Sequence, residues 1–233
     1  MNIPSNPNLA HLLVAAAKLA PLLDQIVFVG GCITGLLVTD PAATPVRTTL
    51  DVDVIISVAS YAEFTVLEKH LRELGFHQSH AEGAPICRWL SGDLILDLMP
   101  TDSAILGFSN PWYRPALENA RRIIIGEHDI QLITAPFFLA TKLEAFRGRG
   151  NNDFRASHDL EDIVTVIDGR PELTAEVRLA PWDLRQYLGA EFGTLLSSRD
   201  FLEALPGHLL PDAASQQRLS LVVKRMQYLV TGK

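Results

Sequence analysis

The chain has 233 residues, 48% of them hydrophobic, which is enough for one large domain or two small ones with a real core and leaves no segment that reads as disordered. Its formal net charge is −7, from 20 Lys+Arg against 27 Asp+Glu, which argues against a protein that coats nucleic acid by bulk charge but leaves room for a local basic groove. No apolar run approaches the roughly 18 residues of a membrane helix, and Met1 to Asn8 lacks a basic segment and a cleavage site, so the expectation is a cytoplasmic protein with no membrane association.

In chain order, Asn8 to Leu23 reads as an amphipathic helix, Gln25 to Val29 as a short apolar strand, and Gly31 to Val38 as a helix opened by a glycine pair. Thr39 to Thr49 is a loop carrying Pro41, Pro45 and Arg47. Leu50 to Val58 alternates as a strand, with Asp51, Asp53 and Ile55 on one side and Val52, Val54 and Ile56 on the other. Tyr61 to Leu74 is a helix stopped by Gly75. Pro85 to Leu90 and Asp93 to Met99 read as strands about a Ser91-Gly92 turn, and Ile123 to Ile125 with Ile130 to Ile133 as a further pair about Gly126. After Pro136 the pattern is helical: Phe137 to Phe146, Ser157 to Ile167, Glu172 to Leu196 with an interruption near Pro181, and Ala213 to Leu229.

This order predicts an α/β (α+β) protein in which a mixed β-sheet domain, residues 1–135, carries an appended C-terminal helical bundle, residues 136–233. The boundary is expected at Thr134-Ala135-Pro136, with the bundle closing a cleft that holds the site.

Asp51 and Asp53 lie two apart on one strand, so their side chains share a face about 7 Å apart. Aspartate is a poor strand residue, and two carboxylates side by side repel unless cations intervene. Magnesium prefers hard oxygen ligands and keeps positions for water and phosphate. Two such ions about 3.5–4 Å apart can activate an attacking oxygen and stabilise a leaving pyrophosphate. Asp97, in Leu94-Ile95-Leu96-Asp97-Leu98, would complete the set by orienting or deprotonating the attacking hydroxyl. Without the glycine turn and Asp97, the Asp-x-Asp pair would read as a solvated strand edge.

Gly30-Gly31 between strand and helix can let backbone N–H groups approach a phosphate, and the helix N-terminus favours negative charge there. The spacing is neither a Walker motif nor a dinucleotide fingerprint. Thr34, one turn further on, is a phosphate-side candidate or ordinary helix packing. Lys142 sits on a helix with Arg147 and Arg149 just beyond its end. Arg155 and Ser157-His158-Asp159-Leu160-Glu161-Asp162 follow, with Ser157 as N-cap and the acids in the first turn. Asp162 shares a face with Asp159 and can pair with Lys142 or an arginine. Read functionally, Lys142 is a phosphate ligand, Asp159 and Asp162 orient it, and Arg47, Arg147, Arg149 and Arg155 line a groove for triphosphate or an acceptor backbone; read structurally, the arginines belong to a solvated loop.

Cys32 and Cys87 are expected as reduced, buried thiols, with a lone disulfide as the alternative. His158 reads as a helix-start residue, and His77 and His80 lack partners at zinc spacing. Ser109-Asn110-Pro111-Trp112-Tyr113 carries aromatics that serve either as core anchors or as a base-stacking surface.

A glycine pair opening a helix, an Asp-x-Asp strand and a third acid on a later strand resemble the nucleotidyltransferase superfamily with the DNA-polymerase-β-type fold, although the gap from Gly31 to Asp51 is longer than in its most compact members. Lys142 followed by Asp159-x-x-Asp162 resembles the AbiEii/AbiGii-type toxin nucleotidyltransferases. The resemblance covers roughly residues 25–170 and leaves 171–233 without a motif. It implies Mg²⁺- or Mn²⁺-dependent transfer of a nucleoside monophosphate from an NTP such as ATP to a hydroxyl. It implies an RNA acceptor, tRNA-like, and for the toxin group a cognate antitoxin protein. Carried over, Gly30 and Gly31 are phosphate-turn residues, Asp51, Asp53 and Asp97 metal ligands and catalytic acids, and Lys142 a nucleotide ligand, with Thr34, Arg47, Asp159 and Asp162 beside it. The alternatives are transfer to a small molecule or protein, or a non-catalytic nucleotide-binding protein of the same fold.

Overall fold

The computed structural model describes residues 6–150 and 152–232. Residues 1–5, on which the reading of Met1 to Asn8 partly rests, lie outside the described residues. The chain has a mixed β-sheet with an appended C-terminal helical bundle, and it divides into two compact units. One is formed by Pro7–Ile33 and Thr48–Thr134; the other by residues 6, 34–47 and 135–232.

The first unit is built on the sheet. Its strands are β1 (Ile26–Val29), β2 (Asp51–Ile56), β3 (His77–Gln78), β4 (Arg88–Ser91), β5 (Leu94–Pro100), β6 (Arg121–Ile125) and β7 (His128–Leu132). Their spatial order is β3-β4-β5-β2-β1-β7-β6. β2 is central: it runs antiparallel to β1 and parallel to β5. Val52, Val54 and Ile55 on β2 and Leu96 and Leu98 on β5 are fully buried, which fits β-branched and aliphatic residues in strands with neighbours on both edges. Helix α1 (Leu9–Lys18) buries Leu12, Ala15 and Ala16 in this unit. Asn8, just before it, is buried, and its side-chain carbonyl accepts from the Thr49 N–H at 2.9 Å, which anchors the chain at the entry to β2.

The hairpins follow from their turns. β4 and β5 pair from Ser91↔Leu94, leaving Gly92 (φ +59°) and Asp93 as a two-residue loop, and β6 and β7 meet in the same way around Gly126. Helix α3 (Tyr61–Glu73) starts at Ser60, whose hydroxyl accepts from Glu63 N–H, while the Glu63 carboxylate accepts from Ala59 N–H. Gly75, with φ +85°, follows its end. Strand β3 and the short helices α4 (Ser103–Leu106) and α5 (Tyr113–Glu118) complete the unit; they are too brief to show a period in sequence.

The second unit contains α2 (Thr34–Leu37), α6 (Ala135–Arg149), α7 (His158–Gly169), α8 (Leu173–Leu179), α9 (Trp182–Ser197), α10 (Arg199–Ala204), α11 (Ala213–Gln217) and α12 (Leu219–Thr231). The helix expected over Gly31 to Val38 is instead a 3₁₀ turn, Gly31–Ile33, followed by the single turn α2. Glycines at 31 and 35 weaken helix continuation, and Gly35 is packed so closely on Asn6 that a Cβ would meet its side chain at 2.6 Å. The helical stretch from Glu172 is interrupted at Ala180-Pro181, as expected, giving α8 and α9, because proline cannot supply the N–H an unbroken helix needs.

The loop 38–47 is strapped to α7. The N–H groups of Thr39 and Asp40 donate to the Gly169 carbonyl at 2.8 and 2.9 Å, and Thr44 N–H donates to Asp168. A Cβ on Gly169 would meet Val38 at 2.7 Å, so the close approach depends on that glycine. Asp168, wholly buried, also accepts from Arg218 Nε at 2.6 Å, and Arg225 donates to the carbonyls at the end of α7. The cations satisfy helix carbonyls that otherwise lack partners.

Replacing Asp168 with alanine strands the Thr44 N–H and leaves Arg218 without its buried partner. The expected loss is about 3 kcal/mol of unfolding free energy, the lower end for a broken buried pair because Arg218 is partly exposed. Urea denaturation followed by circular dichroism measures it; a loss below about 1 kcal/mol would show that the strap does not depend on this carboxylate.

Candidate functional site

The acids fall into one cross-strand row on the sheet. Val29 of β1 pairs with Asp53 of β2, Asp53 with Asp97 of β5, and Asp97 with Arg88 of β4. Register partners share a face, so Asp53, Asp97 and Arg88 stand side by side on strands about 4.8 Å apart. Asp51, two residues before Asp53, projects from the same face. The parallel pairing of β2 with β5 thus brings together the three acids expected from sequence.

The glycine turn meets this row at its β1 end. Gly30 follows Val29 with φ +72°, and a Cβ there would collide with the Asp53 carboxylate. Glycine is therefore required twice over, by backbone conformation and by space. Gly31 opens the 3₁₀ turn and is buried. Thr34 belongs to the other compact unit; it is fully buried, and its hydroxyl has no hydrogen-bond partner among the described residues.

Sequence reasoning missed Arg88. Its Nε donates to Asp97 Oδ1 at 2.8 Å, and one terminal nitrogen donates to Asp97 Oδ2 at 2.7 Å and Asp51 Oδ2 at 3.0 Å. The hydrogen bond to Asp97 holds the guanidinium more firmly protonated than an ordinary arginine, against the opposing effect of burial. Next to it, burial above all, with the negative fields of Asp97 and Asp53, pushes the Cys87 thiol up to about 12. Cys32 and Cys87 are both buried and neither is in a disulfide.

The donor chemistry of the row, three hard carboxylates, is the kind a divalent cation selects. The arrangement is not. Among the described residues no group of three His, Cys, Asp or Glu side chains is disposed to hold a metal ion, and Arg88 engages both oxygens of Asp97 and one of Asp51. As they stand, Asp97 and Asp51 are bound by a guanidinium, and the row does not fit a metal.

The second cluster lies wholly in the helical unit. Lys142, 6% exposed on α6, pairs with Asp162 at 2.6 Å and Asp159 at 3.1 Å, both on α7. Arg47 binds Asp162 through two bonds of 2.9 Å, and Arg149 binds Asp159 through bonds of 3.0 and 2.9 Å. Ser157 caps α7, accepting from Leu160 N–H, and fixes the turn from which the acids project. Three cations thus share these two carboxylates. Burial works against ionisation of Asp159, but Lys142 and Arg149 outweigh it and hold its pKa below the ordinary 3.8.

Of the other basic residues expected to line a groove, Arg147 pairs with Glu191 at 2.9 Å, while Arg155 is exposed. His158 is exposed and lies 3.0 Å from Glu161. The loop carrying Ser109 and Asn110 lines a cleft of about 540 Å³ with Thr101, Ser103 and Arg114, beyond the end of β5 and apart from the acid row. No helix among the described residues is long and apolar enough to cross a membrane.

No family model matches the chain, and no curated protein matches it. Several solved structures are similar to the chain, and two of these match at low identity. One is an antigenic nucleotidyltransferase-like protein from Paracoccidioides brasiliensis, 23% identical, with 88% of this chain and 94% of that one covered and a TM-score of 0.49. The other is a candidate nucleotidyltransferase from H. pylori, 12% identical, with 98% and 96% covered and a TM-score of 0.47.

Because the folded state lowers the pKa of Asp159, its stabilising contribution is complete above the ordinary carboxylate value and is lost as pH falls through the lower folded value. Asp159→Asn should therefore cost about 2 kcal/mol at pH 7, as for a hydrogen bond to a charged group. The gap between variant and wild type should narrow steadily below pH 4 in urea titrations. A gap that stays constant down to pH 2.5 would contradict the lowered pKa.

Proposed function

We propose that this chain is a nucleotidyltransferase that moves a nucleoside monophosphate from an NTP to a hydroxyl of an acceptor. The observation that carries the reading is the contact of the Gly30 turn with Asp53, in the row that also contains Asp97 and, on the same face, Asp51. A glycine backbone that can approach a phosphate and a carboxylate set that can serve the attacking oxygen are brought together by one sheet register.

In this reading Gly30 and Gly31 receive phosphate, and Asp51 and Asp53 stand at the reacting phosphate group. Asp97 orients or deprotonates the acceptor hydroxyl. The acceptor oxygen bonds to the α-phosphorus, the bond from that phosphorus to the bridging oxygen breaks, and pyrophosphate leaves with the electron pair. The proton of the hydroxyl passes to a carboxylate. The reading includes Mg²⁺ or Mn²⁺ as cofactor. Asp51, Asp53 and Asp97 are the groups that would hold the ion, and because Arg88 engages Asp97 and Asp51 as they stand, the ion would have to displace it.

Within the helical unit, Lys142 and Arg47 are read as nucleotide ligands, with Asp159 and Asp162 holding them and Thr34 a further candidate in the same unit. RNA, tRNA-like, is the acceptor that fits cations placed within a net acidic chain. The order Lys142, Asp159, Asp162 supports a toxin of a toxin–antitoxin pair, with a separate protein as its antidote. A second reading, a non-catalytic nucleotide-binding protein, is favoured by Arg88, which occupies Asp97 and Asp51.

The deciding experiment incubates the pure protein with each α-labelled NTP, Mg²⁺ or Mn²⁺ and total RNA. Label should enter an RNA band with wild type and fall to background with Asp53→Asn, whose circular dichroism should be unchanged. Equal labelling by the variant would remove the acid row from the chemistry. Absence of transfer to RNA with NTP binding retained by calorimetry would shift the acceptor to a small molecule or protein; absence of both transfer and NTP binding would favour the non-catalytic reading.

A further inference from the structure

We infer that Arg88 is the resident counter-ion of the acid row and competes with divalent cations for Asp51 and Asp97, so that the free protein takes up such a cation only at the expense of the Arg88 fork. The inference rests on reading Asp51, Asp53 and Asp97 as the active row.

Three facts support it. First, Arg88 makes three charge-assisted bonds of 2.7 to 3.0 Å, two of them in the planar fork that matches a carboxylate. A metal ligating Asp97 would have to displace these bonds. Second, the arginine cannot avoid the row. Trp89, its neighbour on β4, is 1% exposed on the opposite face, so alternation aims residue 88 at the acids. The backbone on either side is fixed as well: Ser79 N–H donates to the Arg88 carbonyl at 2.9 Å, Arg88 N–H donates to Pro85 at 3.0 Å, and Leu98 N–H donates to Cys87 at 2.9 Å. Third, the guanidinium side chain is 25% exposed, so its bonds are only partly screened by water, yet solvent reaches it. It can be exchanged by movement of the side chain alone.

Formally the three acids and Arg88 sum to −2. Removing the arginine charge takes the row to −3 and frees the Asp97 oxygens. Both changes strengthen attraction for a divalent cation, while the carboxylates themselves stay on the same strands. A lysine at 88 keeps the charge but loses the two-pronged geometry, and should fall between.

The test measures free Mn²⁺ by electron paramagnetic resonance during titration of the purified full chain, without nucleotide. Arg88→Gln should bind Mn²⁺ with a dissociation constant at least about tenfold lower than wild type, and Arg88→Lys should lie between the two. Adding Asp53→Asn to Arg88→Gln should weaken binding again. Equal affinity of wild type and Arg88→Gln, whether tight or weak, overturns the inference. If Arg88→Gln does not fold by circular dichroism, Arg88→Lys against wild type decides, and equal affinity there overturns it too. The outcome separates from the functional reading: tighter binding in the variants together with no nucleotidyl transfer by wild type upholds the role of Arg88 and removes the enzyme.

Discussion

Like charges placed side by side on one face of a sheet are the constraint around which the strand unit is organised. Asp53 and Asp97 are direct partners in a parallel ladder, and Asp51 stands on the same face one pleat away. Carboxylates on adjacent strands repel, and a fold that keeps them there must set cations or hydrogen-bond donors against them. Arg88 supplies one such cation from the neighbouring strand, in register with Asp97. The strands themselves are held by the apolar side: Val52, Val54, Leu96 and Leu98 are fully buried, and that burial has to exceed the residual repulsion of the acidic face. The row persists because hydrophobic burial and electrostatic compensation act on opposite faces of the same strands.

The helical unit meets a related problem with the signs reversed. Lys142 is buried on α6, where an unpaired ammonium would be strongly disfavoured. Two acids from one turn of α7 face it, and each is shared with an arginine. Sharing explains why Asp159 is held ionised despite its burial. It also shows why Arg47, in a loop without secondary structure, is placed firmly: the loop is hydrogen-bonded to the end of α7 by backbone groups, and Arg47 is bonded bidentately to Asp162 on the same helix. Deleting one cation here changes the balance of the other two, so effects of single substitutions in this cluster should not add.

Much of this was legible in the sequence, where a local rule applied. Alternation in Asp51-Val52-Asp53-Val54 put both acids on one face, Ser157 marked the start of α7, and the spacing of Asp159 and Asp162 placed both acids on one side of that helix. Arg88 escapes the sequence reading because a Ser91-Gly92 turn would set it opposite Ile95; the loop is Gly92-Asp93, and counting back from Ser91↔Leu94 brings Arg88 opposite Asp97. The partner of Asp53 was not legible, since the ladder between β2 and β5 joins strands some forty residues apart and no local rule sets its register. The split of Gly31 to Val38 into a 3₁₀ turn and a single helical turn was hidden for the same reason: it reflects packing of Gly35 against Asn6. Charges that pair at long range, such as Arg218 with Asp168, look in sequence like surface residues.

The different geometries of a guanidinium and a metal ion show what the acid row is prepared for. A guanidinium is planar, carries one charge and directs its donors within a fork, so it satisfies Asp97 along one edge and reaches Asp51 with what remains. A divalent cation gathers oxygens around a point and carries twice the charge. The strand register leaves the carboxylates on the same side whichever cation is present, because it is set by the ladder and by the buried face. The glycine at position 30 belongs to the invariant part: its open space is filled by Asp53, so that carboxylate is positioned by steric fit against the turn, and its placement does not depend on the Arg88 fork. A row with one acid set by packing and two acids bound by an exchangeable arginine is one in which the cation, and not the backbone, decides how the carboxylates are used.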